Sequence, residues 1–297
     1  MPHKIILRIF AVCAALATVL RFAQLYFTID GATGFSVLGS YEKVNFVIYG
    51  LMVVLIAIPT FFSAVSSNRQ PTRAPIPKSF PLLSVGNLIV SICMLATAGY
   101  KFVTIETYSL LALLELLLLL VSAVWFMFYA AASFAKFKLP AALSLAPIFL
   151  YLFKLISIFI SHNGLANISE NIIETLFLCA ILYFFLLQSK ILCKVTIRKT
   201  SRHIFPVALL TFILMVMDNI PTLLIRVIGK AEVLHTSSAF NLEYVIIGAY
   251  ALMFTLQLYS KNKWPVSHYQ HSTEHMETNT PNQNNDFILE HKDREEI

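Results

Sequence analysis

Eight mostly apolar runs divide this chain, at about 5–28, 44–64, 81–103, 107–131, 141–161, 171–190, 204–228 and 242–260. Each has about the 20 residues a helix needs to cross the hydrocarbon core of a bilayer. Lipid offers the backbone no hydrogen-bond partner, so a spanning segment must satisfy its own N–H and C=O groups. Apolar runs of this length do so as helices, whereas barrel strands are about 10 residues long and alternate in polarity. The expected fold class is all-α: a polytopic membrane helical bundle of about eight transmembrane helices, with the lipid bilayer as its first partner. Composition agrees. Of 297 residues, 58% are hydrophobic and 13% charged, more apolar surface than a water-soluble domain can bury.

A net charge of +6 raises nucleic acid as a partner, but the cations are distributed for another purpose. With the N-terminus inside, the cytoplasmic segments hold Lys4 and Arg8; Arg69, Arg73 and Lys78; Lys136 and Lys138; Lys190, Lys194, Arg198, Lys199 and Arg202; and Lys261, Lys263, Lys292 and Arg294. These are 16 of the 22 basic residues, against Lys43, Lys101 and Lys230 at outer boundaries. The asymmetry is that of the positive-inside rule. It predicts cytoplasmic N- and C-termini in a plasma-membrane protein, and no nucleic-acid partner. The basic start and "FAVCAALATVL" also resemble a signal peptide. Arg21 and the apolar "FAQLYF" behind it read instead as the outer end of a retained span; cleavage would leave seven helices.

Two stretches share a register. "FPLLSVGNLIVSICMLATAGYK" (80–101) and "FPVALLTFILMVMDNIPTLLIR" (205–226) each open on Phe-Pro after a basic loop and close on a cation. Proline suits the first turn of a helix, where its missing N–H is no loss, so Phe-Pro reads as an entry signal in both. Arg21 and Lys154 form a second pair, each followed by an aromatic outer end and a Gly-containing turn. The pattern suggests two parallel four-helix halves, 1–135 and 136–260; chance likeness among apolar helices gives the same signal. Residues 261–297 are polar and aperiodic, the composition of a disordered cytoplasmic tail, with Trp264 as an interfacial anchor.

Ionisable groups within spans are costly and are functional candidates by default. At 1.5 Å per residue, Arg21 lies about 24 Å from the inner boundary, Lys154 about 20 Å and Asp218 about 18 Å, with Glu115 about 12 Å below the outer one. Lys101 and Arg226 reach the outer interface, where long stems snorkel. Glu115 interrupts "LLALLELLLLLV" and must be protonated or turned inward, with Lys154 and Arg21 at compatible depth as charge partners. It reads as an ion pair that fixes packing, as a ligand or proton site, or as a snorkelling carboxylate. Asp218 and Asn219 begin "DNIP", where Pro221 frees the carbonyl of residue 217. A carboxylate beside a broken helix suits cation or proton binding; the competing reading is a kink whose polar neighbours bond to adjacent helices. Outside the tail, all nine acids fall at outer ends, in outer loops or within spans. Acids and outer cations together could line a polar vestibule.

Enzyme chemistry is not indicated. HExxH, GxSxG and a Gly-rich phosphate loop are absent from the sequence. A carboxylate dyad would need Glu115 beside Asp218. Cys13, Cys93, Cys179 and Cys193 have no metal-ligand spacing, and His268, His271 and His275 lack a matching acid or cysteine set, so no metal or cofactor is expected. "NIS" at Asn167 fits a glycosylation acceptor. The leading expectation is a small transporter or permease that binds a polar solute or ion near the midplane through Asp218, Glu115, Lys154, Arg21 and Asn219, one half moving against the other. The alternative is a receptor or assembly subunit with an outward ligand pocket and a cytoplasmic protein partner at the basic loop 190–203 and the tail.

Overall fold

The computed structural model describes residues 3–29, 40–66, 81–104, 109–132, 141–161, 169–193, 197–230, 234 and 240–260. The tail 261–297 with Trp264 and its histidines, the loop 67–80, Asn167, Asp30, Glu106 and Glu232 lie outside the described residues. Eight α-helices follow in order: α1 His3–Phe27, α2 Ser40–Ser66, α3 Pro81–Thr104, α4 Leu110–Ala131, α5 Ala146–Ser161, α6 Ser169–Leu192, α7 Ile197–Val227 and α8 Leu242–Ser260. A 3-10 turn, Ala141–Leu145, leads into α5. Seven of these segments are long and apolar enough to cross a membrane; the apolar part of α8, Leu242–Leu258, is shorter. The chain is a multi-pass membrane protein built as a helical bundle.

The helix starts follow the chain's own signals, with one departure. Ser109 caps α4 by accepting a hydrogen bond from Ala112 N–H, and Asn241 accepts from Glu243 and Tyr244 N–H to cap α8. Pro81 opens α3 as expected, but α7 begins at Ile197 and carries both Pro206 and Pro221 in its interior. Phe-Pro is therefore an entry signal in one stretch only. Helix α7 reaches back into the basic segment, where Thr200, Ile204 and Phe205 are buried. Beside the second proline, Thr222 Oγ1 donates to the carbonyl of Asp218 at 2.8 Å, a side-chain bond next to the Met217 carbonyl that Pro221 leaves open.

Residues 1–260 form one compact unit. Within it α7 packs against α1, α2, α6 and α8, while α3 packs against α4 and α8, and α5 against α4 and α6. Helix α6 lies along α7, whereas α2 and α3 scarcely touch. Helices in lipid gain little from the hydrophobic effect and associate through close packing and interhelical hydrogen bonds. Both are present. Ser84 and Ser91 of α3 donate to the carbonyls of Ala130 and Ala123 on α4 at 3.0 and 2.8 Å. On α8, Gly248 lies against Met215 of α7, where a Cβ would fall 2.9 Å from the methionine Cβ.

Helix α4 shows how direction is set without a polar face. Leu110, Leu113, Leu114 and Leu117 look outward, while Leu119, Ala123, Phe126 and Ala130 are buried. These last recur every three or four residues, one stripe of a helix. They meet an aromatic core in which Phe126 lies edge-on to Phe185 and Tyr250, with centroids 6.0 and 5.3 Å apart.

Candidate functional site

Most of the charge that lipid should exclude gathers at one end of α3, α4, α5, α6 and α8. A polar cavity of about 250 Å³ opens there, lined by Thr97 and Lys101 of α3, Glu115 of α4, Lys154, Ser157 and Ile158 of α5, Glu174 of α6, and Asn241, Glu243 and Tyr244 at the start of α8. Lys154 is seven residues from the end of α5, so the cavity lies about 10 Å inside that end.

Its most buried element is the pair between α5 and α8. Lys154 Nζ reaches both carboxylate oxygens of Glu243, at 2.6 and 2.8 Å, and the side chains are 8% and 2% exposed. Tyr151, one turn before Lys154, donates its hydroxyl to Glu243 Oε1 at 2.9 Å. The ammonium also lies over the rings of Tyr151 and Tyr244, at 5.4 and 5.3 Å, near enough for cation–π attraction. Glu243 sits in the first turn of α8, where the helix dipole favours a negative charge. A desolvated ion pair needs such additional partners to hold its charge.

Opposite lie the more open groups. Lys101 Nζ contacts Glu115 Oε1 at 2.5 Å, with side chains 38% and 21% exposed. Tyr244 donates its hydroxyl to Glu174 Oε1 at 3.0 Å. Glu174 has no cation within bonding distance among the described residues. Two lysines and three carboxylates therefore leave the fully ionised cavity with one surplus negative charge, carried by Glu174.

The expected charge partners are corrected by this geometry. Glu115 pairs with Lys101 and not with Lys154 or Arg21, because α3 and α4 pack side by side and the Lys101 stem is closest. Lys101 consequently is bonded within the protein rather than merely snorkelling. Of the five residues singled out from sequence, Glu115 and Lys154 line the cavity. Arg21 belongs to a separate buried cluster between α1 and α2. It donates to Gln24 Oε1 at 2.7 Å, Gln24 in turn donates to Asn45 Oδ1, and Thr28 bonds to the Gln24 carbonyl at 2.8 Å. Asp218 is half-buried on α7 and outside the cavity wall. Glu115 and Asp218 thus do not share the cavity as a carboxylate dyad would. Buried Asn219 accepts from Asn241 N–H at 3.0 Å and donates to the Met215 carbonyl at 3.2 Å, so it fixes the residue that caps α8 and lines the cavity. Arg226 is exposed at the end of α7.

Glu174, Glu243 and Lys101 enter the sequence reading only among the acids and outer cations of the expected vestibule, and Tyr151 and Tyr244 not at all. The concentration of acids at outer ends pointed toward the first two, and the i, i+3 spacing of Tyr151 and Lys154 places them on one helix face. The α5–α8 pairing, 89 residues apart in sequence, has no local signature. Comparison with family models, with curated proteins and with solved structures finds no match for this chain.

Proposed function

We propose that this membrane protein is a small transporter or permease, with the polar cavity as its solute or coupling-ion site. The observation that carries the reading is a space of about 250 Å³ walled by five helices and lined by three carboxylates and two lysines. Ionisable groups in a bundle interior mark substrate, ion or proton routes. Glu174, the cavity carboxylate with no cation among the described residues, is the group to receive an incoming cation or proton. Lys154–Glu243 and Lys101–Glu115 frame it as polar walls that an arriving ligand can rearrange. Asn219 holds the α8 cap, with Asp218 next to it on α7; Arg21 supports the α1–α2 contact. We place the protein in the plasma membrane; the positive-inside rule favours both termini in the cytoplasm and the cavity end outside.

Purified protein in proteoliposomes tests the reading directly. Uptake is measured with a panel of radiolabelled amines and amino acids, alongside a pH dye in the lumen. Transport gives flux that Glu174→Gln abolishes while expression and monodispersity are kept, and that Asp218→Asn reduces. Saturable binding with no flux assigns the protein to the receptor class instead. Flux and folding lost together would give these carboxylates a structural role.

A further inference from the structure

The cavity does not end at its polar wall. At Thr97 it adjoins a second, apolar cavity of about 470 Å³ between α3 and α8, lined by Ile89, Ile92, Tyr100, Leu242 and Ile246 among others. That volume falls within the roughly 300–1,000 Å³ of small-molecule sites. The groove has a structural cause. Helices α3 and α8 touch near Gly86, where a Cβ would fall 2.0 Å from Met253 Cε, and leave a gap between Ile89–Tyr100 and Leu242–Ile246. Its walls face the surroundings: Ile92 is 57% exposed, and in a bilayer those surroundings are acyl chains.

An apolar groove in lipid is filled by hydrocarbon of any kind, and filling it confers no selectivity, since lipid tails are as apolar as the groove. Selectivity must come from the polar end that it meets. There both lysines are already engaged by carboxylates, and Glu174 has its Tyr244 hydrogen bond and, among the described residues, no cation. An ammonium head, with three donors and one positive charge, complements that surplus. A carboxylate or phosphate head would face three carboxylates and would have to displace an existing ion pair. The polar cavity, about 250 Å³, also favours a small head over a bulky one.

We infer that the two cavities hold one membrane amphiphile, a single-chain long-chain amine, with its ammonium group at Glu174 and its chain lying in the α3–α8 groove. The ligand enters sideways from the lipid, and its charge decides the selection. The inference rests on the polar cavity being a binding site and adds the class of ligand and its route.

The test uses the full chain in nanodiscs, with radiolabelled dodecylamine as probe and empty nanodiscs as background. Dodecanoate and methylamine serve as competitors. Expected are one saturable site, no competition by dodecanoate, and at least a tenfold loss of affinity in Glu174→Gln. Bilayer enrichment alone favours a longer amine, so the chain is tested by filling the groove. Ile92→Trp, or Leu242→Trp from the facing wall, should weaken dodecylamine at least tenfold and leave methylamine binding unchanged. Unchanged dodecylamine affinity in both groove variants, with methylamine still bound, would overturn the amphiphile and preserve the polar site. Competition by dodecanoate equal to that by dodecylamine would overturn the choice of head group. Saturable binding of neither amine would overturn the polar site itself.

Discussion

The Lys154–Glu243 pair allows a quantitative test of how charge is held in this bundle. Glu243→Gln is nearly isosteric, but it leaves the Lys154 ammonium without a counter-ion at a site where the two side chains are 8% and 2% exposed. Removing one member of a buried pair costs about 3–5 kcal/mol, because the remaining charge is uncompensated. Two interactions moderate the loss. The glutamine oxygen still accepts from the Tyr151 hydroxyl, worth about 1 kcal/mol. The Tyr151 and Tyr244 rings still face the ammonium, worth about 0.5–2 kcal/mol. The lower end, about 3 kcal/mol, is therefore expected. Lys154→Met in the same background removes the orphaned charge and should restore most of the stability, since replacing a whole buried pair is often neutral or better. Reversible unfolding of the four proteins in mixed micelles completes the double-mutant cycle. A cost below about 1 kcal/mol for Glu243→Gln, or a double variant less stable than either single one, would refute a desolvated pair.

Lys101→Met, at the more open pair, should cost no more than about 1 kcal/mol, since solvent screens such contacts; micelle unfolding checks it, and a loss equal to that of Glu243→Gln would contradict the difference in exposure. Asn241→Ala removes the acceptor for the Glu243 and Tyr244 N–H groups and should destabilise by about 0.5–2 kcal/mol, with the loss seen as faster hydrogen exchange at the start of α8. Gly248→Ala places a Cβ 2.8 Å from Met215 Cγ and should cost about 1–3 kcal/mol by overpacking. Gly50→Ala, where nothing lies within 4 Å, should be neutral or stabilising by up to about 1 kcal/mol. Similar unfolding midpoints for these two variants would argue against a close α7–α8 approach at Gly248.

The spans were legible because hydrophobic length is a property of the chain itself, and the helix boundaries fall near those read from the apolar runs. The start of α7 was not. A basic segment containing Thr200 and Ile204, both buried, looks like a loop until those positions have something to pack against. At the site, the cost of burying charge made it legible that Lys154 and Glu115 needed partners. Which partners they took was not, because that depends on helix rotation. Leucine on all sides of α4 gave no facing direction, and the true stripe is carried by Leu119, Ala123, Phe126 and Ala130. Glu243 looked like an end-of-helix acid. Its value as counter-ion appears only once α8 lies beside α5. Asp218 drew the most attention in sequence for its depth and the proline beside it, yet it is Asn219 that bonds directly to a residue of the cavity wall.

Cysteine accessibility measures most directly whether these charges surround water. In a background lacking Cys13, Cys93, Cys179 and Cys193, single cysteines are placed at Ser157, on the cavity wall, and at the adjacent Ile156, which faces outward and is 47% exposed. The protein is treated in sealed vesicles with a membrane-impermeant cationic thiol reagent. Rapid labelling of Ser157→Cys with little at Ile156→Cys is the result expected of a hydrated polar cavity beside a lipid-facing helix surface. Equal, slow labelling at both positions, or faster labelling at Ile156→Cys, would mean that the carboxylates and lysines do not enclose an accessible site.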